Sequence, residues 1–284
     1  MIGFFGDIHG DEAALRAVLD YLVAQGAERL VCLGDIVNMF PDRGGQENED
    51  CVRLVEDLKC PAVMGNHDFA MKGVGDALSW SARRHLASLP HSLRRASRGV
   101  FVSHASIIDP TSWWEQRELK DYKQELTRGV ADEVSVRLFV LGHRHLPLVL
   151  AFSRRGGQIE VLWNSAIDAD GEIAFSLDFD RCAYLAICGA VACPINPSLR
   201  RVRDAVRRRA QASHDVLCCR LTTRRLTVAC NVPALSHARG SDWHIPADAL
   251  FLRHFSTLDA SNETGYQSQL YRCPDRYGYC KAGR

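Results

Sequence analysis

The feature that most constrains this chain is the rhythm of its first 70 residues: apolar run, amphipathic stretch, apolar run, amphipathic stretch, apolar run. Ile2 to Phe5 read as a buried strand. Leu15, Val18, Leu19 and Leu22 then recur at helical spacing, with Asp11 placed to cap the helix and Gly26 to stop it. Arg29 to Leu33 form a second strand, and Cys51, Leu54, Val55 and Leu58 share one face of a second helix. Ala62 to Met64 form a third strand. Short crossovers between such strands require them to run parallel, which brings their carboxyl ends to one edge of a sheet. The segments GDIHG, GDIVN and GNHD that follow the three strands are therefore expected to converge.

The middle of the chain continues this arrangement. Val100 to Ser103 predicts a strand ending at His104, and Leu138 to Leu141 one ending in Gly142-His143-Arg144-His145, with a helix between them over Trp113 to Arg128. Beyond His145, short alternating runs at Leu148–Phe152, Gln158–Trp163, Ile173–Leu177 and Tyr184–Ile187 predict antiparallel hairpins of a second sheet. Cys218 to Leu221 and Leu226 to Ala229 add a hairpin across TTRR. From about Ser236 the patterning weakens, which divides the chain into a domain over 1–235 and an extension of unknown role over 236–284.

Composition narrows the class. Of the 284 residues 46% are hydrophobic, enough for a large core, and 35 Lys and Arg against 34 Asp and Glu give a net charge of +1. The overall balance thus points to neither a nucleic acid nor an anionic membrane, and any charge argument must be local. The 11 cysteines are scattered, without a C-x-x-C pair, and read as small core residues in a reducing compartment. The start MIGFF reaches Asp7 without room for a signal segment, and no apolar run of about 18 residues follows. A cytoplasmic protein with no membrane partner is expected; the oligomeric state is not legible.

Asp7, His9, Asp35, Asn66, His67, His104, His143 and His145 all follow apolar strands, most beside a glycine. Singly, each has an ordinary reading as a turn cap or a hydrogen-bonded histidine. Crowded on one edge, imidazoles and carboxylates without thiolates suit Mn, Fe, Zn, Co or Ni. With His67 set aside, seven ligands exceed one tetrahedral ion and fit two divalent ions sharing a carboxylate, at the spacing of about 3.5–4 Å common in two-metal hydrolases.

The blocks DIH, GDIVN, GNHD, SHAS and GHRH, in this order over about residues 1–150, resemble those of the calcineurin-like metallophosphoesterase family, in particular its small bacterial phosphodiesterase branch. The resemblance implies an α/β fold: a four-layer αββα sandwich of two mixed sheets with helices on both outer faces. It implies that Asp7, His9 and His145 bind one metal, that Asn66, His104 and His143 bind the other, and that Asp35 bridges them. A hydroxide held between the ions, Mn first among the candidates, would attack phosphorus. His67 would act at the leaving-group side, stabilising the phosphoryl charge or protonating the departing oxygen.

Some positions depart from the family pattern. Phe40-Pro41-Asp42 replaces a glycine-proline loop, and Asn38 stands where protein phosphatases carry an Asp that orients the catalytic histidine. Ile187 to Pro194 resembles a family loop with most residues exchanged. Arg200, Arg201, Arg203, Arg207, Arg208 and Arg209 form the one strong charge cluster, either a solvated face or a phosphate-recognising surface. On a helix, Arg200, Arg203 and Arg207 would form a stripe. Trp113 and Trp114 either close the core or stack on a nucleobase. The expected function is hydrolysis of a phosphodiester or phosphomonoester, with a small molecule or nucleotide as substrate. The alternatives are a non-catalytic metal-binding scaffold or protein-interaction module, and a nucleic-acid binder using the arginines.

Overall fold

Period-two alternation along the apolar strands decides the architecture. In β1 (Ile2–Phe5) the side chains of Ile2 and Phe4 enter one core, while Phe5 enters another on the opposite face. The computed structural model describes residues 1–39, 45–71, 77–95, 99–107, 119–129, 136–155, 158–166, 171–192, 215–220, 224–230 and 256–257. The remaining strands are β2 (Arg29–Cys32), β3 (Ser92–Arg95), β4 (Val100–Ser103), β5 (Leu138–Leu141), β6 (Leu148–Arg155), β7 (Gln158–Ala166), β8 (Gly171–Ser176), β9 (Ala183–Ile187), β10 (Val216–Arg220), β11 (Arg225–Cys230) and β12 (Ser256–Thr257). They form a five-stranded sheet in the order β2-β1-β10-β11-β8 and a seven-stranded sheet in the order β12-β3-β4-β5-β9-β6-β7.

Three apolar cores separate four layers. Phe4, Val31 and Leu217 of the first sheet meet Val102, Val140 and Ala186 of the second between the sheets. Outside the first sheet lie α1 (Glu12–Ala24), α2 (Gly45–Asp57) and α4 (Trp80–Ser88), which contribute Leu15, Leu19, Val52, Val55 and Leu86. Outside the second, Tyr122 and Leu126 of α5 (Leu119–Gly129) pack on Phe139 and Phe152. This is the expected αββα sandwich, and both sheets are mixed: β1 and β2 are parallel, as are β4-β5-β9, while β10, β11 and β8 are antiparallel additions. The helix α1 begins as expected, with Asp11 accepting from the Ala14 N–H at 3.0 Å. It lies close on β1, because a Cβ at Gly3 would come within 2.9 Å of Leu22.

The sequence-based expectation needs two corrections. The strands after His145 do not build a sheet of their own: β6, β7 and β9 extend the sheet of β4 and β5, and β8 with the β10-β11 hairpin completes the sheet of β1. The third strand, at Ala62 to Met64, reduces to one parallel bridge between Ala62 and Cys32. Pro61 has no N–H to offer there, and the next N–H on that side after Val63, that of Gly65, donates to Asp68 Oδ2 at 2.9 Å. A short helix at the site, α3 (Asn66–Met71), was not anticipated. The 235/236 boundary, Phe40-Pro41-Asp42, Trp113, Trp114 and the arginine cluster lie outside the described residues. No helix among the described residues is long and apolar enough to cross a membrane, and Cys32, Cys51, Cys60, Cys182, Cys188, Cys218 and Cys219 are free thiols.

Candidate metal centre

The loops after β1 and β2 are zipped together by their own backbones. The N–H groups of Asp7, Ile8, His9 and Gly10 donate to the carbonyls of Gly34, Asp35, Asp35 and Ile36 at 2.8–3.0 Å. The loops after β4 and β5 meet in the same way, Gly142 N–H to His104 carbonyl at 2.8 Å. The two sheets are also tied together at the site, where the His143 N–H donates to the Asp7 carboxylate at 2.9 Å. The loop after β9, which resembles an altered family loop, backs the first turn through Val191 N–H to Gly6 and Ala192 N–H to Asp7, both at 3.0 Å.

This lacing imposes an unusual backbone. Asp7, His9, Asp35, His143 and His145 all have φ between 51° and 68°, the left-handed region that side chains other than glycine seldom occupy. Such conformations persist where surrounding contacts over-determine them, as at active sites.

The side chains gather into two groups that meet at one carboxylate. Single ligand atoms of Asp7, His9, Asp35 and His145 lie within 4.8 Å of one another, as do those of Asp35, His104 and His143. Asn66 joins the second group, its Oδ1 at 3.1 Å from His104 Nε2 and 2.9 Å from His143 Nδ1. All seven ligand candidates are thus brought together. They are buried or nearly so, with His143 and His145 the most open.

The donor chemistry fits divalent cations. His104 Nδ1 donates to the Leu33 carbonyl at 2.7 Å, so a neutral ring offers the Nε2 lone pair. That nitrogen faces Asp35 Oδ2 at 3.4 Å as well as Asn66 Oδ1. In the first group His9 Nε2 and His145 Nε2 are 3.0 Å apart, and His145 Nε2 is 3.2 Å from Asp7 Oδ1. With both nitrogens deprotonated, as ligation requires, their lone pairs would crowd together unless a cation lay among them, and mixed nitrogen and oxygen donors suit borderline divalent ions.

From the protein groups alone, the imidazoles are mostly held in the neutral form that ligation needs. Burial, then His67 and His145, hold His9 well below the ordinary imidazole value; burial also lowers His67 and, with His104, takes His143 down to about 4. His104 differs. Burial opposes its charge, but Asp35, Asp7 and the Leu33 carbonyl outweigh burial and lift it to about 9. Burial would raise Asp35, yet His104, His67 and His9 hold its carboxyl well below the usual range.

Three supporting residues were missed from sequence. Asp68 is fully buried and accepts from the N–H groups of Ile36 at 2.8 Å, Val37 at 3.2 Å and Gly65 at 2.9 Å, stitching GDIVN to GNHD. Burial and then Asp35 push its carboxyl up to about 7. Glu125 of α5 holds the loop after His104 through Ser106 Oγ at 2.7 Å and Ile107 N–H at 3.0 Å. Asn48 of α2 binds the main chain of Asn38. Asp68 stood within a quoted motif; Asn48 and Glu125 carry no local signal that separates them from ordinary helix polar residues.

His67 sits against the first group, its ring 4.4 Å from that of His9. Its Nδ1 accepts from the main-chain N–H of Met39 at 3.2 Å, and its own N–H donates to Asp35 Oδ1 at 2.8 Å. Asn38, at the position where protein phosphatases carry an orienting Asp, is buried, and the N–H of the next residue, Met39, meets the ring.

The strand ends of this two-sheet sandwich pool carboxylates and imidazoles into two groups whose donors could each hold a metal ion. Residues 1–164 match the family model of the calcineurin-like phosphoesterases, and the chain belongs to that family. An uncharacterized protein of Methanocaldococcus jannaschii, MJ0912, is 32% identical over 168 residues, 52% of this chain and 64% of that protein. The chain therefore spans just under two thirds of this curated relative. A structure described as a putative diadenosine tetraphosphatase is 27% identical, with a TM-score of 0.34, over 50% of this chain and 74% of its own. The Escherichia coli phosphoesterase Yfce is 20% identical, with a TM-score of 0.39, over 81% of this chain and 99% of its own.

Proposed function

We propose that this chain hydrolyses phosphate esters at a centre of two divalent cations that share Asp35. The observation that carries the reading is the meeting of two ligand groups at that one carboxylate. Asp7, His9 and His145 would complete one group, and Asn66, His104 and His143 the other. When bound, the cations lower the pKa of water enough to supply a nucleophile near neutral pH, and their charge offsets that of the phosphoryl oxygens.

The chain's own residues do the positioning. The Leu33 carbonyl holds the His104 proton on Nδ1 and so turns Nε2 to the site. Met39 N–H occupies His67 Nδ1, so the neutral ring carries its proton on Nε2. His67 is then a hydrogen-bond donor suited to the departing oxygen. A phosphodiester is favoured over a monoester because the motifs resemble the small bacterial phosphodiesterases, and a nucleotide or similar small phosphate ester is the substrate class. Mn is favoured among the ions. Asn38 and the stripe of Arg200, Arg203 and Arg207 are proposed as substrate contacts, and free thiols support a cytoplasmic location.

The test is metal analysis of protein purified without chelator, followed by hydrolysis of an activated aryl phosphodiester with added Mn. Chelation should abolish turnover and Mn restore it. Full turnover by protein shown to be metal-free would refute the mechanism, and loaded protein inert toward every phosphate ester would point to a scaffold.

A further inference from the structure

His67 Nδ1 faces His9 Nδ1 at 3.3 Å and accepts from a backbone N–H that can only donate, and the direction of that amide is set elsewhere. The peptide linking Asn38 to Met39 is a rigid plane in which C=O and N–H point opposite ways. Its C=O accepts from Asn48 Nδ2 at 3.0 Å, and its N–H donates to His67 Nδ1 at 3.2 Å. Asn48 Oδ1 also accepts from the Asn38 N–H at 2.8 Å, so one side-chain amide binds both main-chain groups of Asn38. Asn48 is itself buried, at 3% exposure, and has no freedom to drift: a Cβ at Gly10 would overlap its Oδ1. It is wedged between the GDIHG turn and the GDIVN loop, on the first turn of α2.

We propose that Asn48 is the positioning residue for His67. By gripping the Asn38 carbonyl it aims the Met39 N–H at Nδ1, and so keeps the imidazole proton on Nε2, where a leaving oxygen can receive it. The inference rests on the leaving-group role given to His67 above.

A merely structural Asn48 would alter how much protein is folded; a positioning Asn48 alters which substrates suffer. The readout is therefore the ratio of kcat values for two phosphodiesters that differ only in leaving group, p-nitrophenolate against an alkoxide. The folded fraction cancels from that ratio, so variants that fold poorly remain informative. Asn48→Ala removes the grip, and Asn48→Asp keeps the acceptor for Asn38 N–H while setting a carboxylate against its C=O. Each should lower turnover of the alkoxide ester selectively, raising the ratio about tenfold or more, within what loss of a general acid produces. His67→Ala should raise it further, and metal content should stay at the wild-type level in all three. If His67→Ala raises the ratio and both Asn48 variants leave it at the wild-type value, the inference is overturned while the role of His67 stands. If His67→Ala leaves it unchanged, the role of His67 falls and this inference with it.

Discussion

Replacing Gly65 with alanine tests whether the centre depends on a close approach of backbone to carboxylate. A Cβ at Gly65 would lie 2.8 Å from Asp35 Cγ, and closer still to Asp35 Oδ1 and N, whereas real Cβ atoms do not come within 3.0 Å of other heavy atoms. Asp35 cannot give way cheaply. Its Oδ1 accepts from His67 N–H at 2.8 Å, and its carbonyl accepts from Ile8 N–H at 2.8 Å and His9 N–H at 3.0 Å. Contacts between heavy atoms become favourable only near ~3.5 Å, so the carboxylate must move by on the order of 1 Å. Overpacking of this kind costs about 1–3 kcal/mol. In a chain of this size the melting temperature falls by about 2–4 °C per kcal/mol.

The effect on turnover should be larger, because misplacing a reacting group by about 1 Å can cost ~10²-fold. The matched control is Gly26→Ala at the end of α1. Gly26 has φ of +79° and nothing within 4 Å of its missing Cβ. That variant carries backbone strain of about 1 kcal/mol or more without touching the site. The assay pairs a thermal melt with metal content and kcat for an aryl phosphodiester. Gly65→Ala should lose both metal and rate, Gly26→Ala stability alone. Equal losses of rate in the two variants, or a Gly65→Ala protein with wild-type metal content and kcat, would refute the reasoning.

Asp35→Asn should lower both metal content and turnover, since the shared ligand loses its charge, whereas His67→Ala should keep its metal and lose roughly 10²-fold in rate; equal metal loss in both would remove His67 from its assigned place. Asp68→Asn sets an amide where Oδ2 now accepts from Gly65 N–H at 2.9 Å. Leaving the buried Gly65 N–H without an acceptor costs about 1–3 kcal/mol. The melting temperature should fall and metal affinity with it, as GDIVN separates from GNHD; an unchanged denaturant midpoint would show that the stitch contributes nothing.

The ligands were legible because each ends an apolar run: Asp7 after Phe5, Asp35 after Cys32 and Leu33, Asn66 after Met64, His104 after Val102, and His143 after Leu141. A buried parallel strand announces itself locally, and so does the polar residue where it stops. Sheet membership is a different kind of information. Gly171–Ser176 alternates like its neighbours, yet its partner Arg225–Cys230 lies some 50 residues on, and nothing within either segment encodes the pairing. The supports of the site fail for a related reason. Asn48 and Glu125 look like solvated helix residues until distant backbone amides close on them, and nothing within GNHD marks the three amides that Asp68 accepts from. The bridge at Ala62 shows the converse, a run apolar enough to be read as a strand but limited by Pro61 to one rung.

The left-handed backbone at Asp7, His9, Asp35, His143 and His145 bears on how such a chain changes over generations. Glycine at any of these positions would relieve a conformation that costs an L-residue roughly 1–2 kcal/mol. At these positions the substitution that relieves the backbone is also the one that deletes a candidate ligand. Without selection on turnover, the strain at these positions would be a standing pressure against the side chains that the site uses. The fold supplies no gradient back, so a lineage that has traded these side chains for glycine has no thermodynamic reason to recover them.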